Sequence, residues 1–261
     1  MIESGRNLGF GRGNNLARAY VEPGYVLFLN PDTSIDEKSL ERMVGLLEQH
    51  PRTGAVGCKM VFPNGAVADQ NLQWFPTPLT EFVRLRFLTY GLERRLERFL
   101  PINDPLKSGT VEKLYGGCLM ARTSVLDQVG WFDERFFMYA EDVDLSRRIR
   151  EGGWQLYYLS DASITHVAGG TTRKAGTDFS ILMGCESMAK LISKYQGKVA
   201  GILYQAAVFG GSLIRLVVLA PVLIVSAVAG SARGSSSRES ARACALRLRW
   251  SLGLRSGFIP E

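Results

Sequence analysis

Cysteine is sparse in this sequence: Cys58, Cys118, Cys185 and Cys244 are the four present, and no two stand at a paired spacing. That scatter argues against a disulfide framework or a zinc site, and it predicts reduced thiols in a cytosolic compartment. Histidine is scarcer still, with only His50 and His166. No zinc knuckle, recognition helix or RNA-binding aromatic signature is present, so nucleic acid is not an expected partner. Residues 1–20 lack the apolar core of a signal peptide. The glycine-rich stretch NLGFGRGNN (7–15) fails as a dinucleotide fingerprint, because Asn14 stands where a third glycine is needed and no strand precedes it. It retains the capacity to bring backbone amides close to a phosphate.

What is there points to a folded protein with an apolar tail. The chain has 261 residues, 46% of them hydrophobic, and a net charge of +6, ample for a core and attractive to anionic partners. YVLFLN (25–30) predicts a buried strand that ends in the turn NPDTSID. Leu40, Met43, Val44 and Leu47 share one face of a helix that stops before Pro51. GAVGCKMVF (54–62) predicts the next strand, closed by the Asn64-Gly65 turn. KLYGGCLMAR (113–122) reads as a strand entered through paired glycines, followed by a helix over 141–151 and the β-rich run WQLYYLSDASITHV. This alternation predicts an α/β domain.

Two stretches raise the question of a membrane. TEFVRLRFLTYGLERRLERFLP (80–101) is basic and amphipathic, fit either to lie on a membrane or to pack on the domain with a solvated basic face. Residues 199–230 are apolar with Arg215 as the only charge, and about 20 apolar residues suffice to span a bilayer. A spanning helix, a helical hairpin and an in-plane anchor all fit. SARGSSSRESARA then reads as a flexible polar linker. The organisation expected is a domain over 1–196, a membrane-associated helical segment over 197–232 and a basic tail over 233–261.

Candidate chemistry lies in three places. Asp32 follows a buried strand, where open α/β sheets bind ligands, although a lone aspartate in a turn is more often a turn former. His166 ends a β-rich run, and a neutral imidazole is a good metal ligand. In WFDERFFMYAEDVDLSRRIREGGW (131–154), carboxylates crowd among aromatic rings. The helix dipole explains acids in a first turn, and Asp144 can pair with Arg148. Trp131, Phe132, Phe136, Phe137 and Tyr139 are unexplained by that, and rings that exclude water would tune a general base.

The order NLGFGRGNN, LFLNPDT, YGGCLMAR, GWFDERFFMYAEDVDLSRRIREGGW, THVAGG resembles bacterial family 2 glycosyltransferases, nearest the rhamnosyltransferase-like branch, over residues 6–170. The resemblance implies a GT-A-like mixed sheet flanked by helices, with a C-terminal apolar helical segment. It implies inverting transfer from a nucleotide-diphosphate sugar, dTDP-rhamnose being the expected donor, to a glycan or lipid-linked acceptor at the cytoplasmic face of the bacterial inner membrane. Asp32 matches the metal position, with Asn30 in place of the first acid, and His166 completes a Mg2+ or Mn2+ and diphosphate site. Asp142 matches the catalytic base, with Glu141 beside it. Gly116 and Gly117 match the loop bordering the donor sugar, and Asn7, Arg12 and Asn14 the donor-side segment. The family's opening nucleotide-binding βαβ unit has no counterpart here, so a truncated, non-catalytic membrane-tethered partner is the alternative. A two-metal phosphohydrolase built on Asp32, Asp142 and His166 is a further rival that would need more ligands.

Overall fold

The computed structural model describes residues 2–67, 75–78, 106–166, 177–229 and 234–254. The chain divides into two units: residues 1–75 with 101–174, and residues 76–100 with 175–261. The first unit opens with α1 (Gly9–Asn15) and a 3-10 turn, Leu16–Tyr20. There follow β1 (Tyr25–Leu29), β2 (Thr33–Ile35), α2 (Glu37–Gln49) and β3 (Thr53–Val61). After these come β4 (Gly109–Val111), β5 (Cys118–Arg122), α3 (Thr123–Val129), α4 (Glu141–Glu151) and β6 (Gln155–His166).

The sheet order is β1-β5-β3-β6-β2, with β4 also on β6. Strand β5 is antiparallel to both β1 and β3, while β3 and β6 are parallel. Strands β1, β3 and β6 therefore share one direction. β3 is buried along nearly its whole length, as befits a central strand covered on both faces. Because side chains alternate across a strand, Leu119 and Ala121 enter one core with Phe28, Leu145 and Ile149, while Cys118 and Met120 enter the other with Met43 and Leu47. Helix α2 covers one face, α3 and α4 the other. Asp36 caps α2 by accepting the Ser39 N–H at 2.7 Å. Met43 and Leu47 are fully buried, whereas Leu40, expected on the same face, is exposed.

Three departures from the sequence reading shape the site. TSI within the expected turn is itself a strand, β2, pairing Thr33 with His166. Residues 113–117 are irregular, and β5 starts only at Cys118. They pass close over β3, where a Cβ on Gly57 would fall 2.8 Å from a Leu114 methyl. The β3–β6 register also breaks, with Cys58 opposite Leu159 but Lys59 opposite Ser163, so β6 holds extra residues in a bulge.

Helix α4 is pinned by charge. Asp144 is fully buried and accepts from Arg148 Nε at 2.8 Å. The same guanidinium donates to the carbonyls of Val129, Gly130 and Trp131, so one side chain ties the helix to the loop preceding it.

The second unit contains α5 (Thr177–Gln196), α6 (Lys198–Ala229) and α7 (Gly234–Ser251). α5 packs here with α6 and α7, through Leu182, Cys185, Ile192, Tyr204, Val208 and Trp250. Trp250 Nε1 donates to Glu186 at 3.0 Å and Arg242 pairs with Asp178 at 2.6 Å. The stretch read as a flexible linker is helical from Gly234, since its Arg, Ala and Glu residues favour helix. The basic amphipathic stretch 80–101 lies outside the described residues. Residues 198–225 form a helix long and apolar enough to cross a membrane by length and composition.

Replacing Arg148 with Met strips buried Asp144 of its guanidinium. A loss of about 3–5 kcal/mol is expected in denaturant unfolding, largely recovered in the double variant D144L/R148M.

Candidate active site

The carboxyl ends of β1, β3 and β6 meet at one edge of the sheet, beside the start of β5. This is where open α/β sheets place ligands. The Asn30 N–H donates to Gly117 O at 3.0 Å, and Asn30 O accepts from the Thr33 N–H at 3.1 Å and its hydroxyl at 2.6 Å. The turn is thereby fixed at both ends, with Asp32 at its tip. Since Thr33 lies opposite His166, Asp32 Oδ1 comes to 3.4 Å from His166 Nε2. Both side chains are only 16% exposed. Asp32 Oδ1 and His166 Nδ1 are buried with no hydrogen-bond partner among the described residues. Orphan polar atoms of this kind are costly unless a ligand satisfies them.

Asp142 is delivered from the opposite side. Tyr139 and Ala140 are both in the left-handed region, at φ 68° and 66°, a strained entry that needs support from the surroundings. Helix α4 begins directly afterwards. Asp142 Oδ2 accepts the Gly116 N–H at 3.0 Å and Oδ1 accepts the Val143 N–H at 2.8 Å. A Cβ on Gly116 would approach the Asp142 Cβ to 3.1 Å, so only glycine allows this contact without displacement. Glu141, its neighbour, is 6% exposed, and its Oε2 has no partner among the described residues. Burial, with the Asp142 charge adding to it, pushes the Glu141 carboxyl up to about 8.

Tyr115 joins the two halves. Its phenol bonds with Asn30, and it feels the charges of both Asp142 and Asp32. Burial first, then those charges, push it up to about 12. A Cβ on Gly117 would sit 2.1 Å from the Tyr115 ring, so that glycine makes room for the aromatic. The sequence reading singled out Gly116 and Gly117 but not Tyr115. Its only signal was an aromatic residue abutting a glycine pair.

The structure thus brings Asp32, which faces His166, and Asp142, which is held by Gly116 and adjoins Glu141, within electrostatic reach of Tyr115, whose ring packs on Gly117. The amino-terminal residues Asn7, Arg12 and Asn14 make hydrogen bonds within the chain. Asn7 Oδ1 accepts the Gly9 N–H at 3.0 Å, and Asn14 Nδ2 donates to Phe10 O at 2.9 Å. Arg12 Nε donates to Glu134 O at 3.1 Å. NLGFGRGNN is largely helix, and its glycines serve close packing: a Cβ on Gly9, at φ 77°, would lie 2.0 Å from Phe137 O. Asn15, unmarked in the sequence, is the principal clamp, exchanging hydrogen bonds with Phe132 N and O at 3.1 and 2.9 Å. The expected aromatic wall is also revised. Trp131, Phe132 and Phe136 are buried, the first two against Phe28 in the core beneath the loop.

Asp32 and His166 suit a divalent cation. Their facing atoms are separated by 3.4 Å, and adjacent ligands of an octahedral ion lie about 3 Å apart. Among the described residues no group of three or more His, Cys, Asp or Glu is placed to hold a metal. The remaining positions would fall to substrate phosphates and water, as is common for Mg2+. A two-metal phosphohydrolase site finds no ligand set in these residues.

The model of the glycosyl transferase family group 2 matches residues 25–259. The chain is 30% identical over 187 residues to an N-acetylglucosaminyl-diphospho-decaprenol L-rhamnosyltransferase of Mycobacterium tuberculosis, covering 64% of this chain and 58% of that protein. It is 28% identical over 172 residues to the rhamnosyltransferase WbbL of Escherichia coli, covering 63% of each. The chain therefore spans little more than half the length of the mycobacterial relative. Among solved structures, GalNAc-T7 with UDP, GalNAc and Mn2+ superposes with a TM-score of 0.52 at 11% identity, over 78% of this chain and 38% of that one. That likeness concerns the fold, a GT-A-like mixed sheet flanked by helices. With the match extending over most of its length, the chain belongs to glycosyl transferase family group 2 and is similar to rhamnosyltransferases.

Proposed function

We propose that this chain transfers a sugar, with inversion, from a nucleotide-diphosphate donor to a hydroxyl of a glycan or lipid-linked acceptor in cell-wall or surface polysaccharide synthesis. The observation that carries this reading is the pairing of Asp32 with His166, both holding buried orphan atoms, beside an aspartate clamped by the Gly116 amide. Asp142 takes the proton of the acceptor hydroxyl as that oxygen attacks the anomeric carbon. The bond from that carbon to the diphosphate breaks on the opposite face, and the nucleoside diphosphate leaves with the negative charge. Asp32 and His166 would hold Mg2+ or Mn2+, whose contribution is to offset that charge. The donor in this reading is dTDP-rhamnose, and the names of the relatives support rhamnose as the transferred sugar. The location in this reading is the cytoplasmic face of the inner membrane, and the helix over 198–225 supports association with a membrane. On this reading the sheet unit is the transferase domain and the apolar helix its tether.

A second reading, a non-catalytic membrane-tethered partner, is supported by the place of β1 at the end of the sheet order, an edge open to pairing with another chain. Nucleotide-sugar binding separates the two, since only the first reading requires it.

Asp142→Asn is expected to lower turnover by about 100-fold or more while nucleotide binding, followed by calorimetry, stays within experimental error of the parent. Unchanged turnover would remove Asp142 from the role of base. Asp32→Ala is expected to abolish the dependence of nucleotide binding on added Mn2+; a persisting dependence would move the cation elsewhere. Glu141 gives a prediction in pH. Its folded carboxyl titrates near 8, against about 4.3 when unfolded. The unfolded chain therefore releases this proton first, so the group's contribution is intact below about pH 4.3 and is lost as pH rises toward 8. Urea unfolding across that range should show Glu141→Gln gaining on the parent as pH rises, with no relative gain at acid pH.

A further inference from the structure

The helical unit holds two cations with no ion pair among the described residues. Tyr204, near the start of α6, packs edge-on against Trp250, at the end of α7, with ring centroids 6.1 Å apart. The two helices therefore run antiparallel as a hairpin. On α6 the inward stripe is Tyr204, Val208, Gly211 and Ser212, all buried, and Arg215 continues it at helical spacing. On α7, Cys244 and Trp250 are buried and Arg247 stands between them, one turn from each. Helical side chains lean toward their own N-terminus, so in an antiparallel pair Arg215 and Arg247 lean toward the same level, that of Cys244. Both guanidiniums act on that sulfur, and Arg247 hydrogen-bonds it. Burial pushes the Cys244 thiol up while the two arginines pull it back.

Neither arginine has a carboxylate within ion-pair distance among the described residues. Among the described residues of this unit the acids are Asp178, Glu186 and Glu239. Asp178 is taken by Arg242, Glu186 by Lys190 and Trp250, and Glu239 is exposed. Two half-buried like charges beside an apolar helix call for an anion. The surface next to them says what kind. Leu213, Ile214, Val217 and Val218 flank Arg215 and are 47–67% exposed, a hydrocarbon-seeking face beside a phosphate-seeking pair.

We propose that Arg215 and Arg247 form a binding site for the phosphate group of a membrane lipid, whose hydrocarbon chains lie along the apolar face of α6. The site rests on the membrane reading above but is separate from the sugar-transfer chemistry. It gives the Arg215 charge a counter-ion in place of a desolvation penalty.

The test uses the full chain in detergent, titrated with phosphatidylglycerol, phosphatidylcholine or inorganic phosphate at fixed ionic strength and read by thermal unfolding and native mass spectrometry. Phosphatidylglycerol should be retained and should raise the parent's melting temperature well beyond phosphatidylcholine. In R215Q/R247Q that affinity should fall by at least about tenfold, while R238Q/R249Q, which removes two exposed charges, should keep it. Full retention in R215Q/R247Q, or equal loss in both variants, overturns the site. An inorganic phosphate effect equal to that of the lipid overturns the lipid assignment. Should the double variant fail to fold, R247Q alone carries the same expectation. Flotation of the parent with phosphatidylcholine vesicles reads the membrane association separately. Its failure there would remove the membrane reading, whereas flotation without phosphatidylglycerol preference removes only this site.

Discussion

Pairing between β2 and β6 sets the geometry on which the rest of the site depends. Three residues, Thr33 to Ile35, lie antiparallel to Ile164–His166, and this short ladder fixes the aspartate of one turn against the histidine of a distant strand end. Hydrogen bonds between backbones do the positioning, so neither side chain needs partners of its own. That leaves Asp32 Oδ1 and His166 Nδ1 buried with no hydrogen-bond partner among the described residues. The same logic governs Asp142. Its position comes from the Gly116 amide and from a helix pinned by Arg148.

Close approach by glycine is the second recurring device. Gly116 admits Asp142, Gly117 admits the Tyr115 ring, and Gly57 lets the connecting segment cross the central strand. At Gly9 the packing is tighter still, against the carbonyl of Phe137. In each case the missing side chain makes room for a close neighbour, a side chain at Gly116, Gly117 and Gly57 and a backbone carbonyl at Gly9. The glycine-rich amino terminus packs closely on the acidic loop.

Much of this was legible in the sequence. The strand 25–29, the helix 37–49 and the helix 141–151 follow from apolar period and helix-stop signals. The i,i+4 spacing of Asp144 and Arg148 announced their ion pair. The elements that escaped were the short ones. Three-residue strands such as β2 carry no periodicity, and their existence is decided by a partner far away in the chain. Tyr115 escaped because its importance lies in what surrounds it after folding. The buried rings were misassigned for a related reason: residue type shows that an aromatic will be buried, while only topology shows whether it faces core or cleft.

The bulge in β6 carries one more implication. Between Leu159 and Ser163 the strand spends three residues that its parallel neighbour does not match. Laid out as regular strand they would extend about 10 Å, more than enough to carry His166 past Asp32. The segment is in effect a length adjustment, a spacer that reels the histidine back to the sheet margin. A relative with a different number of residues there would bring a different strand residue opposite the Asp32 turn.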